Sequence, residues 1–235
     1  TKIEVKARMS ANQFSQKVHK EPRISLNQLS EYCHLTNAAK RRNILLGQKF
    51  PPVFRGTYYG AAEEAIVAFL GSGSSDVEEL QDIVADLRYE AQDFKSQNRN
   101  WHCERALTNV EALERFINNW RFFPRGFSFQ ALPQNAKGGL DIEDVRVSIR
   151  PELKTTSTKK SGPGLLKLVF SKNEDLPLQR LETTSVLLFQ YAQGILVPVG
   201  AKLSHQDCLV YDVFAGACVN APRAYVRKYR EVEAA

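Results

Sequence analysis

The chain of 235 residues has no apolar run approaching the length of a transmembrane helix, so no membrane span and no membrane partner are expected. Its N-terminus lacks an apolar h-region, so no secretory signal is expected. Cysteine is sparse. Cys33, Cys103, Cys208 and Cys218 are widely spaced, and none belongs to a C-x-x-C pair. That argues against a zinc ribbon or a disulfide framework and for a reduced, cytoplasmic protein. Cys33-His34 and His102-Cys103 are adjacent pairs, but helix neighbours point about 100° apart, which rarely lets one pair hold one metal. The P-loop, the G-x-S-x-G elbow, the H-E-x-x-H helix, the EF-hand loop and the Rossmann glycine fingerprint are all missing. No internal repeat is present.

What remains is an ordinary globular composition, 43% hydrophobic and 25% charged. The length suits one large domain or two small ones. Net charge is +6 with a pI near 9.1, and the excess is uneven. Residues 1–50 carry ten Lys/Arg against three acids, whereas residues 51–100 carry four against nine. A basic N-terminal region on a near-neutral body predicts one electropositive face, which attracts phosphate polyanions through Coulomb force and counterion release.

The first half reads as helical. Ser25-Leu26-Asn27-Gln28 has the form of a capping box and opens an apolar pattern at Leu26, Leu29 and Cys33. A second helix is expected from Asn37 to Leu46, stopped by Gly47, and a third from Ala61 to Leu70, stopped by Gly71. Together the two short helices in 25–46 resemble a helix-turn-helix without a clear turn glycine. Residues 71–75 read as a flexible Gly/Ser link. Ser75-Asp76-Val77-Glu78 and Thr108-Asn109-Val110-Glu111 read as two further capping boxes, and Val77, Leu80, Val84, Leu87 and Ala91 repeat with helical period. From Phe122 the character changes. Phe127, Phe129 and Ala131 alternate, as do Val145, Val147 and Ile149. Leu165 to Phe170 is apolar except at Lys167, which suits a central strand covered on both faces. A helix over Leu181–Tyr191, a strand over Leu209–Phe214 and a final helix after Pro222 complete the order. The expected fold is α/β or α+β: a mixed central sheet flanked by helices, preceded by an all-helical N-terminal portion. The boundary is placed between residues 1–100 and 101–235.

That order over residues 108–220 resembles the core of the PD-(D/E)XK nuclease-like superfamily, a helix, three strands, a helix and a further strand. In that family an acid on the second strand and a (D/E)-x-K on the third bind Mg²⁺ and position water. The chemistry needs oxygens converging on a hard cation and a lysine beside them. Two placements of this motif are open. One uses Asp141 or Asp144 as metal ligands with Glu152-Leu153-Lys154, but leaves no hairpin within a continuous strand 145–154. The other puts Lys167 on the third strand and Leu165 where the acid belongs, which implies a degenerate member without cleavage. No cofactor is then expected, or Mg²⁺ if the nuclease is active.

The nucleic-acid candidates are Lys40, Arg41, Arg42, Lys49 and Arg55, interleaved with Phe50, Phe54, Tyr58 and Tyr59, and the loop cations Lys159 and Lys160. The leading expectation is a DNA- or RNA-binding protein on a nuclease-like scaffold. The rivals are an active Mg²⁺-dependent nuclease, and a protein-interaction or homo-oligomerisation module using the acidic 76–94 helix.

Overall fold

The computed structural model describes residues 18–51, 58–133, 138–158, 162–172, 177–197 and 203–235. Among the described residues it is a mixed α/β structure with seven α-helices and two sheets. The chain enters on a short strand, β1 (Arg23–Ser25), followed by α1 (Leu26–His34) and α2 (Ala38–Lys49). Helices α3 (Gly60–Ser72), α4 (Glu78–Ser96) and α5 (Asn100–Asn119) come next, and a 3₁₀ turn at Trp120–Phe122 leads into the strands. These are β2 (Phe127–Ala131), β3 (Gly138–Ile142), β4 (Val145–Ile149), β5 (Leu153–Ser157) and β6 (Pro163–Val169). The remaining elements are α6 (Leu178–Leu196), β7 (Leu209–Asp212), β8 (Ala217–Asn220) and α7 (Tyr225–Glu233).

The main sheet has the order β2-β5-β6-β7-β8. Strands β2, β5 and β6 are antiparallel neighbours, with the β3–β4 hairpin of the smaller sheet inserted between β2 and β5 in the chain, and β7 returns parallel to β6 after the α6 crossover. Side chains alternate across β6 as its apolar run predicts. Leu166 and Leu168 join a core built from α3, α4 and α5, whereas Leu165 and Val169 join one built from α1, α6 and α7. The first of these cores draws on residues from both sides of position 100. A second, three-stranded sheet has the order β1-β4-β3.

Several local expectations are met. Ser25 caps α1, accepting from Gln28 N–H and donating to Gln28 Oε1; the second helix forms as well, with Asn37 just ahead of it as a cap that accepts from the N–H groups of Ala39 and Lys40. Others are corrected. Strand β1 pairs in parallel with β4, so the N-terminal portion is not all-helical. Helix α2 runs through Gly47 to Lys49, and α3 ends on Gly73, whose φ of +71° gives the left-handed cap. Gly71 and Ser72, read as part of a link, belong to α3.

Neither downstream capping box forms. At α4 it is Asp76 Oδ1 that accepts from Glu78 N–H. Thr108 and Asn109 lie inside α5, where Thr108 Oγ1 bonds back to Glu104 O. Asn109 is buried and holds the start of α3. Its Oδ1 accepts from Ala62 N–H at 2.9 Å and its Nδ2 donates to Tyr58 O at 2.9 Å. The strand expected over 145–154 is broken at Arg150–Glu152, because Pro151 has no N–H to donate; β4 and β5 belong to different sheets.

Candidate functional site

The two alternative placements of the motif supplied Glu152 and Lys167 separately, and the fold brings them together. Glu152 sits just ahead of β5. Its N–H donates to Leu166 O, and Leu166 is also the register partner of Leu153. Two residues of one strand thus face one of the next, the arrangement of a β-bulge, which re-aims the Glu152 side chain. One carboxylate oxygen accepts the Lys167 ammonium in an ion pair, and the other accepts from Leu168 N–H at 2.6 Å. Glu152 O accepts from Leu132 N–H at 3.0 Å. The Glu152 side chain is 4% exposed and that of Lys167 is 13% exposed. Burial pushes the Glu152 carboxyl above its ordinary range, against the opposing pull of Lys167 and Leu168 N–H.

A third group, Glu63 on α3, was missed in the sequence. Its charge also pushes the Glu152 carboxyl upward. The signal was there: Glu63 borders the buried stripe of Ala62, Ala65 and Ile66, so a half-buried carboxylate facing the sheet was to be expected. Leu165, which stands where the family's third-strand acid would be, is fully buried and in register with Lys154. Lys154 itself is half-buried between Leu165 and Gln130.

Asp141 and Asp144 lie elsewhere. Asp141 pairs with Arg146 at 2.7 Å across the β3–β4 hairpin of the smaller sheet, and both side chains are at least half exposed. Asp144 follows Glu143 in the two-residue turn of that hairpin, and both have positive φ, 44° and 64°. Such turns favour Asp at these angles for conformational reasons. Among the described residues, no group of three or more His, Cys, Asp or Glu is arranged to hold a metal ion. Asp141 and Asp144 lie on the smaller sheet and Glu152 at the main one. Asp212 is structural in its visible contacts: Oδ1 accepts from the N–H groups of Phe214 and Ala215 at the end of β7.

The basic candidates divide. On α2, Lys40, Arg42 and Lys49 are exposed. Arg41 is half-buried and braces the α1–α2 connection, donating from Nε to Leu35 O at 2.7 Å with its guanidinium 4.9 Å from the Tyr32 ring. Lys49 lies over Phe50 at 5.6 Å. Tyr59 belongs to the core fringe, stacked on Phe170 at 5.0 Å, while Tyr58 stays 40% exposed. Phe54, Arg55, Lys159 and Lys160 lie outside the described residues. The acidic face of α4 is outward, and its Arg88 pairs with Glu114 of α5.

No family model matches the chain, and no curated protein matches it.

Proposed function

We propose that this is a nucleic-acid-binding protein on a PD-(D/E)XK-like scaffold that does not cleave. The observation that carries binding is α2. This helix contains no acid and presents Lys40, Arg42 and Lys49 to solvent, with only Gln48 buried. It follows α1 after three residues, 35–37, the connection length of a helix-turn-helix. Cations near the start of the second helix lie where phosphate and base-edge contacts are made in that motif.

Within the main sheet, the antiparallel β2-β5-β6 arrangement followed by the α6 crossover and the parallel return of β7 supports the scaffold reading, with the β3–β4 hairpin of the smaller sheet inserted between β2 and β5. Leu165 in place of an acid, and Lys167 already neutralised by Glu152, support the absence of cleavage. Lysine and glutamate then serve the strand junction instead of positioning water.

The test incubates the purified chain with labelled single- and double-stranded DNA and RNA, with Mg²⁺ or with EDTA, on native and denaturing gels. The expected result is a salt-sensitive shift with intact substrate in both conditions. Absence of any shift overturns the binding reading. Mg²⁺-dependent cutting that Glu152→Gln abolishes overturns the non-cleaving one and assigns Glu152 to an active nuclease.

A further inference from the structure

Among the described residues, the main sheet ends at β2 in an unpaired edge. Thr158 N–H donates to Gly126 O at 2.9 Å, and Leu132 N–H donates to Glu152 O at 3.0 Å. Antiparallel pairing alternates, so these bonds fix which residues face β5 and which face away. Phe127, Phe129 and Ala131 turn their N–H and C=O groups outward. Among the described residues, no backbone group pairs with them there.

Edge strands are usually guarded by a charge, a proline or a bulge. The sequence of β2, Phe-Ser-Phe-Gln-Ala, has no charge and no proline, and its register with β5 is unbroken. Ser128, Gln130 and Ala131 are exposed. Helix α3 approaches this strand at Gly71, where a Cβ would stand 3.7 Å from Ala131 N. The glycine keeps side-chain bulk away from that end of the edge.

The edge is also complementary to itself. Two copies set antiparallel about a two-fold axis place Phe129 opposite Phe129 and Phe127 opposite Ala131. These are the outward-facing positions, so every outward N–H and C=O on both copies gains a partner. Phe127 and Phe129 lie on the face that packs against α3, α4 and α5, and the two copies join them in one apolar row. On the opposite face, Ser128 stands across from Gln130, and neither is charged. The two Gly71–Ala131 approaches then lie four residues apart along the strands, about 13 Å, which separates the α3 ends. A foreign strand would have to match this register, whereas a second copy supplies it from the same five residues.

We propose that the chain forms a two-fold dimer through β2, which joins two five-stranded sheets edge to edge. The proposal does not rest on the nucleic-acid reading, since none of the exposed α2 cations lies on β2.

The test is sedimentation velocity of the full chain across micromolar concentrations. The expected result is a reversible, concentration-dependent shift from 26.6 kDa to twice that mass. The double variant Ser128→Glu, Gln130→Glu sets acids opposite each other across the seam and weakens the dimer about tenfold. Ser128→Lys with Gln130→Glu sets Lys opposite Glu and restores it. Ala131→Pro removes an outward N–H without touching a bond to β5, and it also weakens the dimer. Melting temperatures of the variants confirm that each is folded. A chain that stays monomeric at every concentration overturns the proposal and leaves the edge to a foreign strand or to none. A dimer that the paired acids leave unchanged, or that the Lys–Glu exchange fails to restore, overturns the β2 register.

Discussion

Lys167 neutralises Glu152 at the point where β5 parts from β6, and both side chains are almost wholly withdrawn from water. The two partners are not equivalent. Lys167 has a flexible stem and retains some exposure, so it can reach solvent if Glu152 is neutralised. Glu152 has no such escape. Lys167→Met should therefore cost about 3–5 kcal/mol near neutral pH, the usual penalty for leaving a buried charge uncompensated. Glu152→Gln keeps an acceptor for Leu168 N–H and should cost less. Adding Glu152→Gln to Lys167→Met should restore most of the loss. Urea unfolding of the three variants measures this, and additive losses in the double variant would refute the coupling.

The same carboxyl gives the fold a pH dependence of definite sign. Burial holds its folded-state pKa above the ordinary value of 4.5. Between the unfolded and folded values the native state binds the extra proton. The contribution of Glu152 to stability is thus fully present below about pH 4.5 and declines as pH rises through the folded value. Without Lys167, only the Leu168 N–H opposes burial, so the decline in Lys167→Met should reach higher pH. The defect of that variant should shrink on acidification. Unfolding midpoints collected from about pH 4 to about pH 8 test this. Parallel profiles for the unmodified chain and Lys167→Met would show that the carboxyl does not feel the lysine.

Periodicity was enough to find the helices and the main-sheet strands β2, β6 and β7, because their apolar faces are written in local spacing; β5 and β8 were not separately legible. The α1 cap was legible for the same reason: the Ser25 side chain bonds only to Gln28, three residues away. The Thr108 pattern is identical in form but lies mid-helix, where its hydroxyl bonds to Glu104 O. Only the tertiary packing of Asn109 against Tyr58 and Ala62 separates the two cases. Strand β1 exists because β4 is beside it, more than a hundred residues later. The Glu152–Lys167 pair was hidden for a similar reason. Its members belonged to rival placements, and only the β5–β6 register and the bulge at Glu152 bring them together.

If α2 contacts a phosphate backbone, removing its exposed cations should change the salt dependence of binding as well as its strength. Each phosphate contact contributes a slope of roughly 0.9 in log K against log salt for duplex DNA, so losing three contacts lowers it by about 2.7. The triple substitution Lys40→Gln, Arg42→Gln and Lys49→Gln tests this by fluorescence anisotropy at several salt concentrations. Arg41 is excluded because it fastens the α1–α2 connection, and Arg41→Gln should destabilise the fold. An unchanged slope in the triple variant would move the interface off α2.

The thiols report on the packing of the main sheet. Burial pushes both Cys208 and Cys218 up to about 12. Near pH 8 only about one such thiol in ten thousand is ionised, and the thiolate is the reacting species. Cys33 is also raised by burial, with the Arg41 charge partly offsetting it. Ellman's reagent should therefore modify Cys103 first and Cys33 more slowly, while Cys208 and Cys218 react only once the chain is unfolded in urea. Cys208 is fully buried immediately ahead of β7, and Cys218 lies on β8 in register with Tyr211. Their protection therefore requires the β6-β7-β8 side of the sheet to be intact. Rapid reaction of three or four thiols in the folded chain would mean that this side opens, and that the strand order carrying the scaffold reading does not hold in solution.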